Sequence, residues 1–353
     1  MHIRMSPKLS GPRGNGLHSA VVPARCSIPC DLCASTDVDE ISLVDRDGSY
    51  LRTVICRRCG LVYSDPRPGR EAVREYYEHY YRLDYKSSLQ PKLNCVYRAG
   101  KVAVNRIRKF APLLQPDCSI LDVGAGGGEV VYVLRKMGYD ASGFEPNSGY
   151  AKFASDVLGM PVAHGFYQEV SIEPESRDVI TMFHVLEHLE SPCDALRRVR
   201  QWLRKEGHLL VEVPNVEAVC QWPRSRFHRA HLYNFNPATL EMAGRRAGYQ
   251  VVASSVSSDG GNMTVTFRNG GEATPVSAAV AGNCDRILKV LRDHTTLRDA
   301  FSRRPYIRVL RKIVARMGER RATMKMGSAT VLLDSLVSLA LREEPGLPRS
   351  TSG

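Results

Sequence analysis

"LDVGAGGGE", residues 121–129, is the stretch whose reading decides the fold. It continues the apolar strand pattern "SILDVG" and opens "VVYVLRKMG", so its glycines stand where a strand gives way to a helix. Gly124, Gly126 and Gly128 let the backbone turn tightly and come close to a ligand. A dinucleotide fingerprint needs Gly-x-Gly-x-x-Gly, and counting from Gly124 puts Glu129 at the last position. A phosphate-cradling loop ends in Gly-Lys-Ser/Thr, and no lysine or arginine occurs here. The loop therefore suits a ligand that is not held by its phosphates.

Working outward, short apolar runs alternate with amphipathic ones. "DASGFEP", "MPVAHG", "DVITMFH" and "HLLVEVPN" read as strands. "NSGYAKFASDVLG" reads as a helix with Asn147 as cap and Gly159 as stop, and "SPCDALRRVRQWLRKEG" as one capped by Ser191. "NPATLEMAGRRAGY" is a further helix, followed by two closing strands, "QVVASSV" and "NMTVTFRN". Strand–helix alternation with short connections builds a mostly parallel sheet covered on both faces. The closing pair has no helix between its members, which makes it antiparallel.

The pattern Asp-x-Gly-x-Gly-x-Gly resembles the first motif of class I S-adenosylmethionine (SAM)-dependent methyltransferases. "GFEP" places Glu145 where that family has a carboxylate for the two ribose hydroxyls. The resemblance covers about residues 116–269. It implies an α/β fold, with a Rossmann-like seven-stranded sheet that is mostly parallel and has its last strand antiparallel. It implies SAM as cofactor, held by Asp122, Gly124, Gly126, Gly128 and Glu145, with His184 beside it. Adenine is expected near residues 164–167, stacked on Phe166 or Tyr167. "DVITMFHVLEHLESPCDALRRVRQWLRKEGHLLVEVPN" narrows the resemblance to a subgroup containing ubiquinone-biosynthesis O-methyltransferases and bacterial polysaccharide-cluster methyltransferases.

"MFHVLEHL", residues 182–189, follows the fourth strand. If it opens a helix, His184, Glu187 and His188 share one face. With His231 downstream, they are the candidate catalytic residues. SAM carries its own leaving group, so methyl transfer needs alignment, while a hydroxyl acceptor gains from a base or a metal. Some relatives carry Glu-x-x-Glu-His here and bind a divalent cation that grips two hydroxyls. His184 replaces the first of those carboxylates, which suits Zn²⁺, Fe²⁺ or Mn²⁺ better than Mg²⁺. Three roles are open to the set: acid/base and substrate contact, a second divalent cation site, or packing. The Asn/Asp-Pro-Pro-Tyr-like segment of adenine-base amino methyltransferases is absent, which disfavours methylation of base amines.

Cys30-x-x-Cys33 and Cys56-x-x-Cys59 are separated by 22 residues, a spacing for a tetrahedral zinc site. Four thiolates leave no open position, so the role is structural. Between them "EISLVDRDGSYLRTVI" reads as a hairpin turning near "DRDG", and a segment this small needs such a staple. Cys26 is a competing ligand. "CRRCGLVYSDPRP" also resembles the N-terminal zinc segment of polysaccharide-cluster methyltransferases.

The net charge of +12 belongs to the ends: residues 1–25 carry +4, residues 285–353 carry +8, and residues 26–284 are neutral. A neutral centre argues against nucleic acid as the partner of the catalytic domain, and basic ends suit anionic surfaces. The organisation read from these patterns is a flexible basic arm (1–25), a zinc-ribbon-like module (26–70), a helical lead-in (71–115), the SAM-binding domain (116–269), and a linker with two or three basic helices (270–353). No apolar run approaches the roughly 20 residues that span a bilayer, and no signal-peptide core follows Arg4. The expected location is cytoplasmic and membrane-peripheral, with no signal for oligomeric state. The expected activity is SAM-dependent O-methylation of a saccharide, a lipid-linked saccharide or a similar small hydroxylated acceptor, by direct displacement. The alternatives are an RNA ribose 2′-O-methyltransferase gripping phosphates with ribbon and basic ends, and a non-catalytic SAM-fold scaffold.

Overall fold

The computed structural model describes residues 25–76, 90–275, 280–302 and 304–343. Expectations for residues 1–24, 77–89, 276–279 and 344–353 lie outside the described residues. A two-residue strand β1 (Arg25–Cys26) pairs with β5 (Arg67–Pro68). Between them β2 (Val38–Val44) and β3 (Tyr50–Cys56) form the expected antiparallel hairpin. Its turn is held by Asp45, whose buried Oδ1 accepts from the backbone N–H of Asp47 and Ser49, each at 2.9 Å. Next comes β4 (Val62–Ser64), beside β3.

Among the described residues, helices α1 (Arg70–Glu75) and α2 (Leu93–Phe110) lead into the main sheet. Then follow β6 (Ser119–Val123), α3 (Glu129–Lys136), β7 (Asp140–Glu145), α4 (Ser148–Lys152), β8 (Val162–His164), β9 (Arg177–Phe183), α5 (Pro192–Trp202) and β10 (Leu203–Pro214). After β11 (Tyr233–Asn234) come α6 (Pro237–Arg246), β12 (Tyr249–Val256) and β13 (Asn262–Asn269). The seven-stranded sheet has the order β12-β13-β10-β9-β6-β7-β8. All pairs from β10 to β8 are parallel, and β13 runs antiparallel to both its neighbours. The chain leaves β6 toward β7 on one side and returns to β9 on the other. That reversal opens a crevice at the carboxyl ends of β6 and β9.

Capping explains the helix starts. Asn147 accepts from Tyr150 N–H at 3.1 Å, and Ser191 from Asp194 N–H at 3.4 Å. Asp31, from the first cysteine knuckle, reaches the same end of α5, accepting from Ser191 Oγ at 2.7 Å and Cys193 N–H at 2.9 Å. A carboxylate at a helix N-terminus is favourable and ties the ribbon to the main sheet. A second tie is β11, which pairs with β4 and completes a four-stranded sheet, β11-β4-β3-β2.

Three local expectations change. The helix expected over residues 191–207 stops at Trp202, and "LRKEG" belongs to β10. The register slips between Leu203 and His208, with Glu206 at φ 65°. A Cβ at Gly207 would lie 3.0 Å from the carbonyl oxygens of Arg204 and Asp178, so a side chain there would crowd the backbone. Second, "MFHVLEHL" opens no α-helix: β9 ends at Phe183, His184 turns at φ 58°, and one 3₁₀ turn, Leu186–His188, follows. Third, the C-terminal region holds four described helices: α7 (Asn283–Asp293), α8 (Thr296–Ala300), α9 (Arg304–Lys325) and α10 (Ala329–Glu343). The short α8 is the one that periodicity misses. Leu332, Leu333 and Val337 of α10 are buried against α2 and α3. The approach is close: a Cβ at Gly100 would stand 2.5 Å from Leu333 Cδ2.

Candidate active site

Two clefts lie at the crevice. The first, with about 730 Å³ of open space, is lined by Gly124, Phe144, Glu145, Phe166, Tyr167 and Gln168. The second, with about 1980 Å³, is lined by Arg106, Gly126, Glu187, Arg226, His228 and His231 among others. Gly124, His184 and His188 line both, so they form the boundary between them.

The glycine loop shapes the first cleft. Gly124, Gly126 and Gly128 all have positive φ (71°, 57° and 83°), which L side chains rarely adopt. At Gly124 a Cβ would also stand 2.6 Å from Val185 Cγ2. The N–H of Gly126 donates to Glu145 Oε2 at 2.9 Å, and that of Asn147 to Oε1 at 3.2 Å. A carboxylate has about four acceptor sites, enough to hold the loop and receive hydroxyls as well. Asp122 lies beneath, accepting from Thr181 Oγ1 at 2.6 Å. Burial lifts its carboxyl to about 7, against the Thr181 hydrogen bond and the Arg106 charge.

Phe166 lines the first cleft with the Arg74 guanidinium 4.6 Å from its ring centre. Tyr167 is more buried, and its carbonyl accepts from Arg198 Nε at 2.7 Å. Gln168 escaped the sequence reading. Its Oε1 is a buried acceptor with no hydrogen-bond partner. A pocket with a pinned carboxylate, an aromatic face and an orphan amide acceptor fits the adenosine half of SAM.

The boundary is electrostatically built. His184 Nδ1 faces Glu187 Oε1 at 3.3 Å, and its Nε2 faces Glu212 Oε1 at 3.3 Å. With a carboxylate at each nitrogen, both nitrogens donate and the ring is an imidazolium. Burial works against that charge, but Glu187 and Glu212 outweigh it and raise His184 to about 9. The carboxylates respond in kind: despite burial, the His184 imidazolium helps hold Glu187 down at about 2, and His184 and Arg106 do the same for Glu212. Arg106 Nε completes the row, donating to Glu212 Oε1 at 3.0 Å.

His188 sits differently. Its Nδ1 lies 2.8 Å from the Ala230 carbonyl, which can only accept, so Nδ1 carries hydrogen. Its Nε2 points to the other side, 3.8 Å from Glu187 Oε1. The His231 ring packs edge-on, 4.9 Å from the His188 centroid, and burial pushes His231 well below the usual imidazole range. Glu187, His188 and His231 each offer a donor atom within 4.8 Å of the others, and Glu187 Oε2 is buried without a partner. His184 stands outside that trio. Glu212 and Arg106 also escaped the sequence reading. A glutamate inside the otherwise apolar "LLVEV" was the available signal.

The four expected cysteines converge. Cys30, Cys33, Cys56 and Cys59 are all buried, with Sγ–Sγ distances of 3.5 Å (Cys30–Cys59) and 3.4 Å (Cys33–Cys56). Four sulfurs at about 2.3 Å from a tetrahedral Zn²⁺ are about 3.8 Å apart, close to this spacing. The Cys26 side chain lies outside the described residues.

Residues 97–254 match a family model described as a methyltransferase domain. The ubiquinone biosynthesis O-methyltransferase of Azorhizobium caulinodans is 29% identical over 149 residues, covering 37% of this chain and 58% of that protein. The namesake enzyme of Roseobacter denitrificans is 32% identical over 93 residues, covering 25% of this chain and 38% of its own length. The chain thus spans about half the length of the curated relatives it matches. Similar solved structures include a SAM-dependent methyltransferase from Archaeoglobus fulgidus, with TM-score 0.43 and 16% identity, covering 48% of this chain and 94% of that one. Another, from Mesorhizobium loti, has TM-score 0.39 and 13% identity, covering 46% of this chain and 96% of the other.

Proposed function

We propose, from the premise that this chain carries a class I SAM-dependent methyltransferase domain, that it is an O-methyltransferase for a hydroxylated small molecule, with a saccharide or lipid-linked saccharide as the acceptor class. One observation carries the reading: His188 lines both clefts, with its Nδ1 fixed by the Ala230 carbonyl at 2.8 Å and its Nε2 3.8 Å from the Glu187 carboxylate. SAM, when bound, supplies an electrophilic methyl and its own leaving group. The protein does the rest. Glu145 and the glycine loop fix the cofactor's ribose, Phe166 gives its base a face, and Gln168 gives it an acceptor. His188 Nε2 takes the proton of the acceptor hydroxyl as the methyl arrives. Glu187, held ionised, steadies the imidazolium that forms, and Ala230 fixes the tautomer. His184, already protonated and clamped, cannot serve as that base. It neutralises Glu187 and Glu212 beside the cofactor instead. His231 packs on His188 and shields it from water.

His188→Gln keeps the shape and removes the base. The expected result, in a tritiated-SAM assay on a glycan acceptor panel, is a kcat roughly 10² to 10³ lower with unchanged affinity for S-adenosylhomocysteine. Equal kcat in the variant contradicts the assignment.

A second reading rests on the orphaned Glu187 Oε2. In it Glu187, His188 and His231 hold a divalent cation that grips the acceptor, and two imidazoles with one carboxylate suit Zn²⁺, Fe²⁺ or Mn²⁺. The cysteine cluster is assigned a structural Zn²⁺, through Cys30, Cys33, Cys56 and Cys59. The basic C-terminal helices are assigned to an anionic membrane surface, where lipid-linked acceptors lie.

A further inference from the structure

The acceptor cleft contains a buried arginine that has no carboxylate ion pair among the described residues. Arg226 follows the 3₁₀ turn Pro223–Ser225 and lines the second cleft, yet it is only 8% exposed. Its Nη1 donates to the Val216 carbonyl, and its Nη2 to His294 Nδ1 at 2.6 Å. Both partners are neutral, since a ring nitrogen that accepts from a guanidinium carries no hydrogen. Other arginines of this cleft are matched: Arg106 by Glu212 and Arg98 by Glu319. Among the described residues Arg226 has no ion pair, and burial lowers even its guanidinium to about 10. A buried cation without a counter-ion costs several kcal/mol. Proteins tolerate that cost where a ligand supplies the missing charge.

We propose that the acceptor cleft holds an oxyanion subsite, in which Arg226 receives a carboxylate or phosphate carried by the methyl acceptor. The inference rests on the methyltransferase reading and narrows its substrate to an anionic hydroxylated molecule, such as a uronate or a sugar phosphate. The layout agrees. Arg226 lies two residues from His228, whose ring is 5.3 Å from His231, which in turn packs on His188. The anion would thus sit at the far end of a row of rings leading to the base. His228 adds no charge of its own, because burial and Arg46 push it down to about 4. Gln221 and Asn262 line the same cleft and offer neutral partners for sugar hydroxyls. A guanidinium has five N–H donors, and two are used here, which leaves a fork suited to two oxyanion oxygens.

The test is calorimetry on the full-length, zinc-replete protein saturated with S-adenosylhomocysteine. The probes are glucuronate, glucose 1-phosphate and neutral methyl glucoside. Wild type is expected to bind at least one anion ten or more times more tightly than methyl glucoside. Glucuronate alone identifies a carboxylate acceptor, and glucose 1-phosphate alone a phosphorylated one. Arg226→Gln abolishes the preference while S-adenosylhomocysteine affinity stays unchanged, which also reports that the fold is intact. Arg226→Lys, which keeps the charge but not the fork, retains a weakened preference and serves if the glutamine variant does not fold. Equal binding of anions and methyl glucoside in wild type, or an undiminished preference in both variants, overturns the proposal. Failure of wild type to bind S-adenosylhomocysteine instead removes the underlying methyltransferase reading.

Discussion

The residue that carries the most information is His184. Sequence placed it where relatives have a metal-binding carboxylate, and left base, ligand and packing open. The structure shows why the letter alone could not choose: its state is set by Glu212, which stands on the next strand, and by Arg106, on a helix some eighty residues earlier. Its clamp has a thermodynamic signature. A histidine raised from its ordinary 6.5 to about 9 stabilises the fold fully below pH 6.5. That contribution fades as pH climbs through 9. Because the ring is partly exposed, solvent screening limits it to about 1 kcal/mol. Chemical denaturation from pH 6 to 9.5 is expected to show this decline in wild type and a flatter profile in His184→Gln. Identical slopes contradict the imidazolium assignment. By contrast Asp122, the three loop glycines and Glu145 were named through the family resemblance, and the fold brings them together at one crevice. Their roles follow from backbone conformation, which short motifs encode. Gln168 and Arg226 were not legible, because an orphaned acceptor or an unmatched charge exists only once its surroundings are folded.

At the scale of elements, the alternation of strands and helices was readable because each carries its own period and caps. Helix α5 ran short of its pattern: "LRKEG" is helix-compatible in isolation, but pairing with β9 and the crowding at Gly207 recruit it to β10. Tertiary pairing won over local propensity, as it commonly does at boundaries. The cysteine cluster shows the opposite case, since two Cys-x-x-Cys pairs and a turn sequence announced it. Their link to the acceptor cleft was silent in sequence. It runs through Asp31 at the start of α5, the β4–β11 pairing, and Arg229 Nε on Asp45 at 3.2 Å. Chelation, or Cys56→Ser, is therefore expected to lower thermal stability by several degrees and to weaken acceptor binding as well. Metal analysis adds a second readout. One equivalent per chain, lost in Cys56→Ser, fits a zinc ribbon beside a metal-free base, whereas a second equivalent retained by that variant places a cation at Glu187. If stripping the metal leaves stability unchanged, the structural assignment is wrong.

The whole molecule reads as a crevice with three walls: the main sheet, the ribbon with its attached loop, and α2 with the C-terminal helices. Strand order was legible through the family resemblance, whereas the placement of α10 across α2 and α3 was not. Helix α9 stays open to solvent and displays Tyr306, Val309, Leu310, Ile313, Val314 and Met317, all exposed, between arginines. Among the described residues no single helix is long and apolar enough to cross a membrane. An exposed apolar row with basic flanks suits the surface of an anionic bilayer. Co-sedimentation with vesicles containing 30% phosphatidylglycerol is expected for wild type, and is expected to fall several-fold for Leu310→Glu with Val314→Glu. Equal pelleting with neutral vesicles contradicts the electrostatic part. The central claim concerns the crevice itself, and titration calorimetry tests it most directly. S-adenosylhomocysteine is expected to bind the full-length protein at one site, with affinity reduced at least tenfold in Glu145→Ala. No binding by the wild type, or equal binding by the variant, contradicts the account.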